Sequence, residues 1–204
     1  MTALTLYTNP MSRGRIARRM LEETGQPYTT VTLAYGAEMK AAAYRAINPM
    51  GKVPALVHDD RVVTETAAIC TYLADAFPEA GLMPKDRAAF YRWMFFAAGP
   101  FEQAVVNASF GWKPGTPQEA GRTGYGSLET VVGTLSAHLD RGGHIVGDSF
   151  SAADVYLGGQ IGWGLQFGTL PKTDALVAYW DRIKDRPAAL RARALDDAAL
   201  KKDA

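Results

Sequence analysis

The chain has one cysteine, Cys70, in 204 residues, which excludes an internal disulfide and any cysteine-based zinc site. Histidine is almost as scarce. His58, His138 and His144 share no metal-ligand spacing, so a metal-free protein is the expectation. A charge excess of either sign is also missing: the formal net charge is +1, from 22 basic and 21 acidic residues. Such a balance gives no global attraction to nucleic acid or to an acidic membrane. No apolar run approaches the ~18 residues of a membrane span, and Met1 to Leu6 is too short for a signal peptide. A cytoplasmic protein without nucleic-acid or membrane partners is therefore expected. Apolar residues, by contrast, are present in ordinary measure: 48%, against 21% charged, which suffices for a real core.

Leu4 to Thr8 alternates as a short strand, and Asn9-Pro10-Met11 breaks it. Ser12 then reads as an N-cap. Ile16, Ala17, Met20 and Leu21 recur at helical spacing until Gly25. Tyr28 to Leu33 alternates again, and such a β-α-β opening almost always crosses over right-handed into a parallel pair. Residues 37–46 are a weaker, Ala-rich helical stretch closed by Asn48-Pro49-Met50-Gly51. Val53 to Val57 and Arg61 to Thr64 flank His58-Asp59-Asp60 as a hairpin, and Thr66 to Phe77 is a helix. The first domain is thus expected over residues 1–77, as α/β in the order β-α-β-α-β-β-α.

Residues 78–86, with two prolines and no period, read as a linker. From 87 to 204 only helical patterns occur, so an all-α second domain is expected there. Residues 87–106 form one helix, kinked at Gly99-Pro100. Residues 107–126 hold five glycines and two prolines and read as a long loop. Ser127 to Leu139 is helical. Ser151-Ala152-Ala153-Asp154 resembles a capping box that opens a helix to about Gln166. Asp174 to Asp185 and Ala188 to Ala199 complete the series.

The chemistry of interest gathers at two helix starts. The first helix carries Arg13, Arg15, Arg18 and Arg19 at its beginning and Glu22 and Glu23 at its end, against the macrodipole. Pairing at i, i+4 accounts for Arg18 with Glu22 and Arg19 with Glu23. An anion site built from free N–H groups, dipole and guanidinium groups accounts for the cluster equally well. Ser12 has the same two readings, plain cap or ligand donor. The second start, Glu65-Thr66, follows a strand of the same small sheet, and ligands of α/β sheets bind at that edge. Glu65 suits an ammonium and Thr66 a carboxylate, which together suit an α-amino acid head group. Val53-Pro54 places a proline at a strand irregularity, where a cis bond would turn the Val53 backbone toward a ligand.

These residues together resemble the cytosolic glutathione transferase family, in its serine-using, theta-like bacterial branch. The matching order is Leu6-Tyr7 with Ser12 five residues after the tyrosine, Asn48-Pro49-Met50-Gly51-Lys52-Val53-Pro54-Ala55-Leu56, Thr64-Glu65-Thr66-Ala67-Ala68-Ile69, and Phe150-Ser151-Ala152-Ala153-Asp154. The resemblance spans nearly the whole chain. It implies a thioredoxin-like first domain, a helical second domain, a homodimer, and glutathione as co-substrate without a metal.

Residue by residue, the resemblance implies that Ser12 donates its hydroxyl to the glutathione sulfur. Val53 pairs its backbone with the cysteinyl part, Pro54 is the family's cis-proline, and Glu65 and Thr66 bind the γ-glutamyl end. Lys52 approaches a carboxylate. Ser151 and Asp154 are the family's capping box, which serves folding. Asn9 stands where the tyrosine-using branch, with its Arg-Gly-Arg triplet, has its tyrosine; Tyr7 reads as a core-facing strand residue and Cys70 as a buried thiol.

A thiol of pKa about 8.5 needs about 2.7 kcal/mol of preference for its anion to drop two units. One hydrogen bond to a charged group supplies about 1.5–3 kcal/mol and a helix N-terminus up to ~2 kcal/mol, so Ser12 and its helix suffice. Phe110, Trp112 and Tyr125 are the candidate walls for a small hydrophobic electrophile. Conjugation of glutathione to such an electrophile is the leading expectation. The alternatives are a glutathione-dependent isomerase, dehalogenase or reductase on the same site, and a non-catalytic dimeric binding module.

Overall fold

The computed structural model describes residues 3–201, so the outermost ends of the two expected domains, 1–2 and 202–204, lie outside it. Strand β1 (Leu4–Thr8) buries Leu4, Leu6 and Thr8 on one face, as its alternation requires. It pairs in parallel with β2 (Thr29–Thr32), the product of the β-α-β opening. On its other side it pairs antiparallel with β3 (Ala55–His58), which continues through a hairpin into β4 (Arg61–Thr64). The order is β2-β1-β3-β4, a mixed sheet. Two reversals leave β4 running in the direction of β1. Tyr7, Ala55 and Thr64 therefore lie in one line across three strands.

Helix α1 (Gly14–Thr24) buries Ile16, Ala17, Met20 and Leu21 and ends at Gly25, whose φ of 69° completes a left-handed C-cap. The Ala-rich stretch is two short helices instead of one, α2 (Ala37–Lys40) and α3 (Ala42–Arg45). Ala41 between them is extended and interrupts the hydrogen-bond ladder. Helix α4 (Thr66–Ala76) packs on α1 and buries Ile69, Cys70 and Leu73. The result is a thioredoxin-like domain.

From Pro84 to Lys184 the chain forms a second compact unit. Asp86 caps α5 (Arg87–Phe96), accepting from the Ala89 N–H. The expected kink at Gly99-Pro100 is a π-helical turn over Ala97–Phe101, since Pro100 has no N–H to continue the ladder, and α6 (Glu102–Ser109) follows. The segment expected as loop contains α7 (Pro117–Arg122), capped reciprocally by Thr116 and Glu119. Ser127 caps α8 (Leu128–Leu139). Helix α9 (Ala152–Phe167) is the core of this unit, and α10 (Asp174–Ile183) lies close against it. A side chain at Gly158 would overlap Ile183, and one at Gly162 would meet the Trp180 ring, so these glycines set the approach.

The expected extent of the helical domain, 87–204, differs from the structure at its end. Helix α11 (Pro187–Leu200) packs on α1, and Asp185–Ala204 groups with Met1–Met83 in the first unit. The physical reason is a row of ion pairs: Arg15 with Asp197, Arg18 with Asp196, Glu22 with Arg191, and Glu23 with Arg186. Among the described residues no helix is long and apolar enough to cross a membrane, and no cluster of side chains could hold a metal ion.

Candidate functional site

The line through Tyr7, Ala55 and Thr64 marks one edge of the sheet, and the singled-out residues of the first domain lie just beyond it. Past β1, Asn9 organises the turn. Its Nδ2 donates to the Leu33 carbonyl at 2.8 Å, and its Oδ1 accepts from the Met11 N–H at 2.8 Å. The Asn9 carbonyl accepts twice from Ser12, from the backbone N–H at 3.0 Å and from the hydroxyl at 2.7 Å. Ser12 is buried, and its Oγ accepts from the Gly14 N–H at 3.0 Å. The helix proper begins at Gly14 with Arg13 at the N-cap position, one residue later than the pattern suggests, because Ser12 and Arg13 form a tight turn that leads into it. Gly14 is required there, since a Cβ would overlap Thr8 Oγ1.

Before β3, Asn48 is buried and shapes the Asn48–Gly51 turn. Its Oδ1 accepts from the Met50 N–H and its Nδ2 donates to the Lys52 carbonyl, to which Tyr44 also donates at 2.6 Å. Gly51, at φ 58°, sits so near the Met39 carbonyl (2.6 Å from an added Cβ) that no side chain fits. The Lys52 side chain is exposed. The Val53–Pro54 peptide is cis. The Val53 side chain packs with Met39, Tyr44 and Ala55, together with Tyr7. Among the described residues, nothing pairs with the Val53 N–H or carbonyl.

After β4, Glu65 takes φ 66° and ψ 121°, a conformation that costs a non-glycine residue about 1–3 kcal/mol and recurs at ligand clamps. Its carbonyl accepts from Ile69 and starts α4. The N–H groups of Thr66, Ala67 and Ala68 and the Thr66 hydroxyl have no partner among the described residues. One sheet edge thus offers a polar hydroxyl, an unpaired strand-like backbone and an open helix start.

The expectations for the arginines change here. Arg18 pairs with Asp196 at 2.8 Å instead of with Glu22, and Arg15 donates to the Pro10 carbonyl at 2.6 Å and to Asp197 at 2.8 Å. These two guanidinium groups serve α11, so they do not form the suggested anion site. Tyr7 packs tilted on Tyr44, with ring centroids 5.6 Å apart. Cys70 is fully buried, and burial pushes its thiol up against a smaller opposing pull from Arg19.

In the second unit, Phe110 and Trp112 are exposed (82% and 49%), whereas Tyr125 is buried at 7% and its hydroxyl accepts from Asn107 at 2.9 Å. Asp154 is fully buried at the start of α9. It accepts from the Ser151 N–H at 2.9 Å, the Ser151 hydroxyl at 3.0 Å, the Ile145 N–H at 2.9 Å and the Tyr179 hydroxyl at 2.8 Å.

The sequence reading did not single out Thr8 or Gly14. A glycine in the first turn of an amphipathic helix, where propensity disfavours it, was the available signal for a close approach.

A thioredoxin-like domain with a cis-proline beside an open helix start, followed by helices, defines a class of two-domain fold. The family model described as the N-terminal domain of glutathione S-transferase matches residues 6–81. The chain is 30% identical over 166 residues to glutathione S-transferase 1 of Dianthus caryophyllus, covering 73% of this chain and 72% of that protein. It is 29% identical over 205 residues to glutathione S-transferase GST-4.5 of Xanthomonas campestris pv. campestris, covering 95% and 100%. A solved sphingomonad glutathione S-transferase complexed with glutathione matches with a TM-score of 0.74 at 29% identity, covering 95% of this chain and 98% of that one. The chain belongs to the glutathione S-transferase family.

Proposed function

We propose that the chain conjugates glutathione to a small hydrophobic electrophile, with Ser12 as the donor to the sulfur. The observation that carries this reading is the shared edge beyond Tyr7, Ala55 and Thr64. Two strand spacings across it make about 10 Å, which is about the reach of an extended tripeptide. Glutathione supplies the thiol. The unpaired Val53 N–H and carbonyl hold the middle of the tripeptide, as a further strand would be held. The open N–H groups of α4 and the Thr66 hydroxyl take the γ-glutamyl carboxylate, Glu65 its ammonium, and Lys52 a second carboxylate.

At the sulfur, Ser12 first has to release a bond. Its proton points at the Asn9 carbonyl, and a rotation about the Cβ–Oγ bond turns it toward the ligand while the Gly14 N–H keeps hold of Oγ. The positive end of α1 acts in the same direction. Phe110 and Trp112 are exposed apolar side chains of the second unit. Tyr125, already bonded to Asn107, holds their segment. A cytoplasmic homodimer belongs to the same reading, and Tyr91 and Phe95, exposed one turn apart on α5, are apolar surface for a second copy.

Calorimetric titration with glutathione tests the reading. The wild type binds, and Thr66→Val weakens binding roughly tenfold or more, the loss of one hydrogen bond to a charged group. Absence of binding by the wild type removes the proposal. Sedimentation of the same preparation returns the mass of two chains, and a single-chain mass removes the dimer.

A further inference from the structure

Thr8 closes β1 with a side chain at 0% exposure, and its Oγ1 has no hydrogen-bond partner among the described residues. A buried, unpaired hydroxyl is unfavourable, and its retention asks for a use. The backbone around it is ordinary: the Thr8 carbonyl accepts from the Leu33 N–H at 2.9 Å. What is particular is the place. A Cβ built on Gly14 would overlap Thr8 Oγ1 and lie 2.9 Å from Ser12 Oγ. The two hydroxyls therefore face one small space that exists only because residue 14 has no side chain.

A serine hydroxyl has one proton and two acceptor positions. Ser12 spends its proton on the Asn9 carbonyl and one acceptor position on the Gly14 N–H, which leaves one acceptor position open. We infer that Thr8 is a positioning residue for Ser12. Its hydroxyl donates to Ser12 Oγ once the Ser12 proton has turned from the Asn9 carbonyl to the glutathione sulfur. The inference rests on the role given to Ser12 above and extends it. In the ligand-free arrangement Thr8 is left without a partner. In the thiolate complex it fixes the Ser12 rotamer and polarises its O–H, since hydrogen bonds in a chain strengthen one another. No bond other than hydrogen bonds is made or broken.

The test compares the wild type with Thr8→Val, Thr8→Ser and Ser12→Ala. For each, the ultraviolet absorbance of the bound thiolate is titrated against pH. The charged groups bordering this edge, Arg13, Arg15, Glu38, Lys40, Lys52 and Glu65, are the same in all four proteins, so differences between them report the hydroxyls. Thr8→Val is isosteric and removes an unpaired group, so its melting temperature stays at or above that of the wild type. Its bound thiol pKa rises by roughly half a unit, about a threefold fall in the thiol's acid dissociation constant, and Thr8→Ser restores the wild-type profile. If Ser12→Ala raises the thiol pKa and Thr8→Val leaves it unchanged, the inference is overturned and the role of Ser12 stands. If Thr8→Val and Thr8→Ser shift it alike, the hydroxyl is not responsible and the inference again falls. If neither Ser12→Ala nor Thr8→Val moves it, the role of Ser12 fails and the inference with it.

Discussion

Asp154 shows what a single buried carboxylate contributes at the start of α9. Burial raises its pKa. The His144 ring 3.4 Å away, with the bonds from the Ile145 N–H and the Tyr179 hydroxyl, outweighs that effect and holds the carboxyl below its ordinary value. A depressed folded pKa means stability that is complete above the unfolded value of about 3.9 and is lost as pH falls through the folded one. Asp154→Asn replaces an acceptor-only group with one that turns a donor on the Ser151 or Ile145 N–H. It is expected to lose about 3 kcal/mol in urea denaturation at neutral pH and to flatten the acid limb of the stability curve. A variant as stable as the wild type would remove Asp154 from the folding role. The Ser151-Ala152-Ala153-Asp154 pattern was legible because a capping box is local. The Tyr179 hydroxyl, 25 residues on, was not. Ser12 behaves alike: its type and place stood out in the sequence, but the destination of its proton, the Asn9 carbonyl, depends on a turn geometry that composition does not encode.

At the scale of elements, the first helix was the most misleading to local rules. Arginines early and glutamates late oppose its dipole, and the rule of i, i+4 neighbours pairs them with one another. Among the described pairs, Arg19 with Glu23 follows that rule, at 3.8 Å. The other charges of α1 answer to α11 and the residue before it: Asp196 and Asp197 pair near the start of α1, and Arg186 and Arg191 near its end. Partners more than 160 positions apart leave no periodic signal. The row is graded by burial. Arg18 and Asp196 are 5% and 1% exposed, whereas Arg15 and Asp197 are 23% and 50% exposed. Burial pushes the Asp196 carboxyl up even with Arg18 beside it, and its Oδ2 has no partner among the described residues. Its protonation therefore works in the opposite sense to that of Asp154, adding to folding as pH falls. Asp196→Ala strands a buried guanidinium and is expected to cost about 3–5 kcal/mol, and Asp197→Ala under about 1 kcal/mol, by urea denaturation. Equal losses would refute this grading.

For the whole molecule, the sequence pattern pointed to a parallel pair at the opening, a hairpin after it, and both helix starts on one edge. The sheet is mixed, yet the two starts do share an edge, because two antiparallel pairings return β4 to the direction of β1. The hairpin around His58-Asp59-Asp60 carried that information, and the consequence for the edge comes from counting reversals. The last twenty residues were read with the helical half since nothing in their pattern distinguishes a helix docked on a sheet domain from one in a bundle. The electrophile was the least legible part, because exposed aromatic side chains on a glycine-rich segment follow no local pattern that assigns them a role. The central claim concerns Ser12, and kinetics of Ser12→Ala with glutathione and a reference aryl halide test it most directly. The account predicts that kcat falls roughly 10- to 100-fold, the worth of one hydrogen bond to a charged group. Glutathione affinity, measured by calorimetry on the same protein, changes by less than about threefold, because the Val53, Glu65 and Thr66 contacts are intact. An undiminished kcat would contradict it.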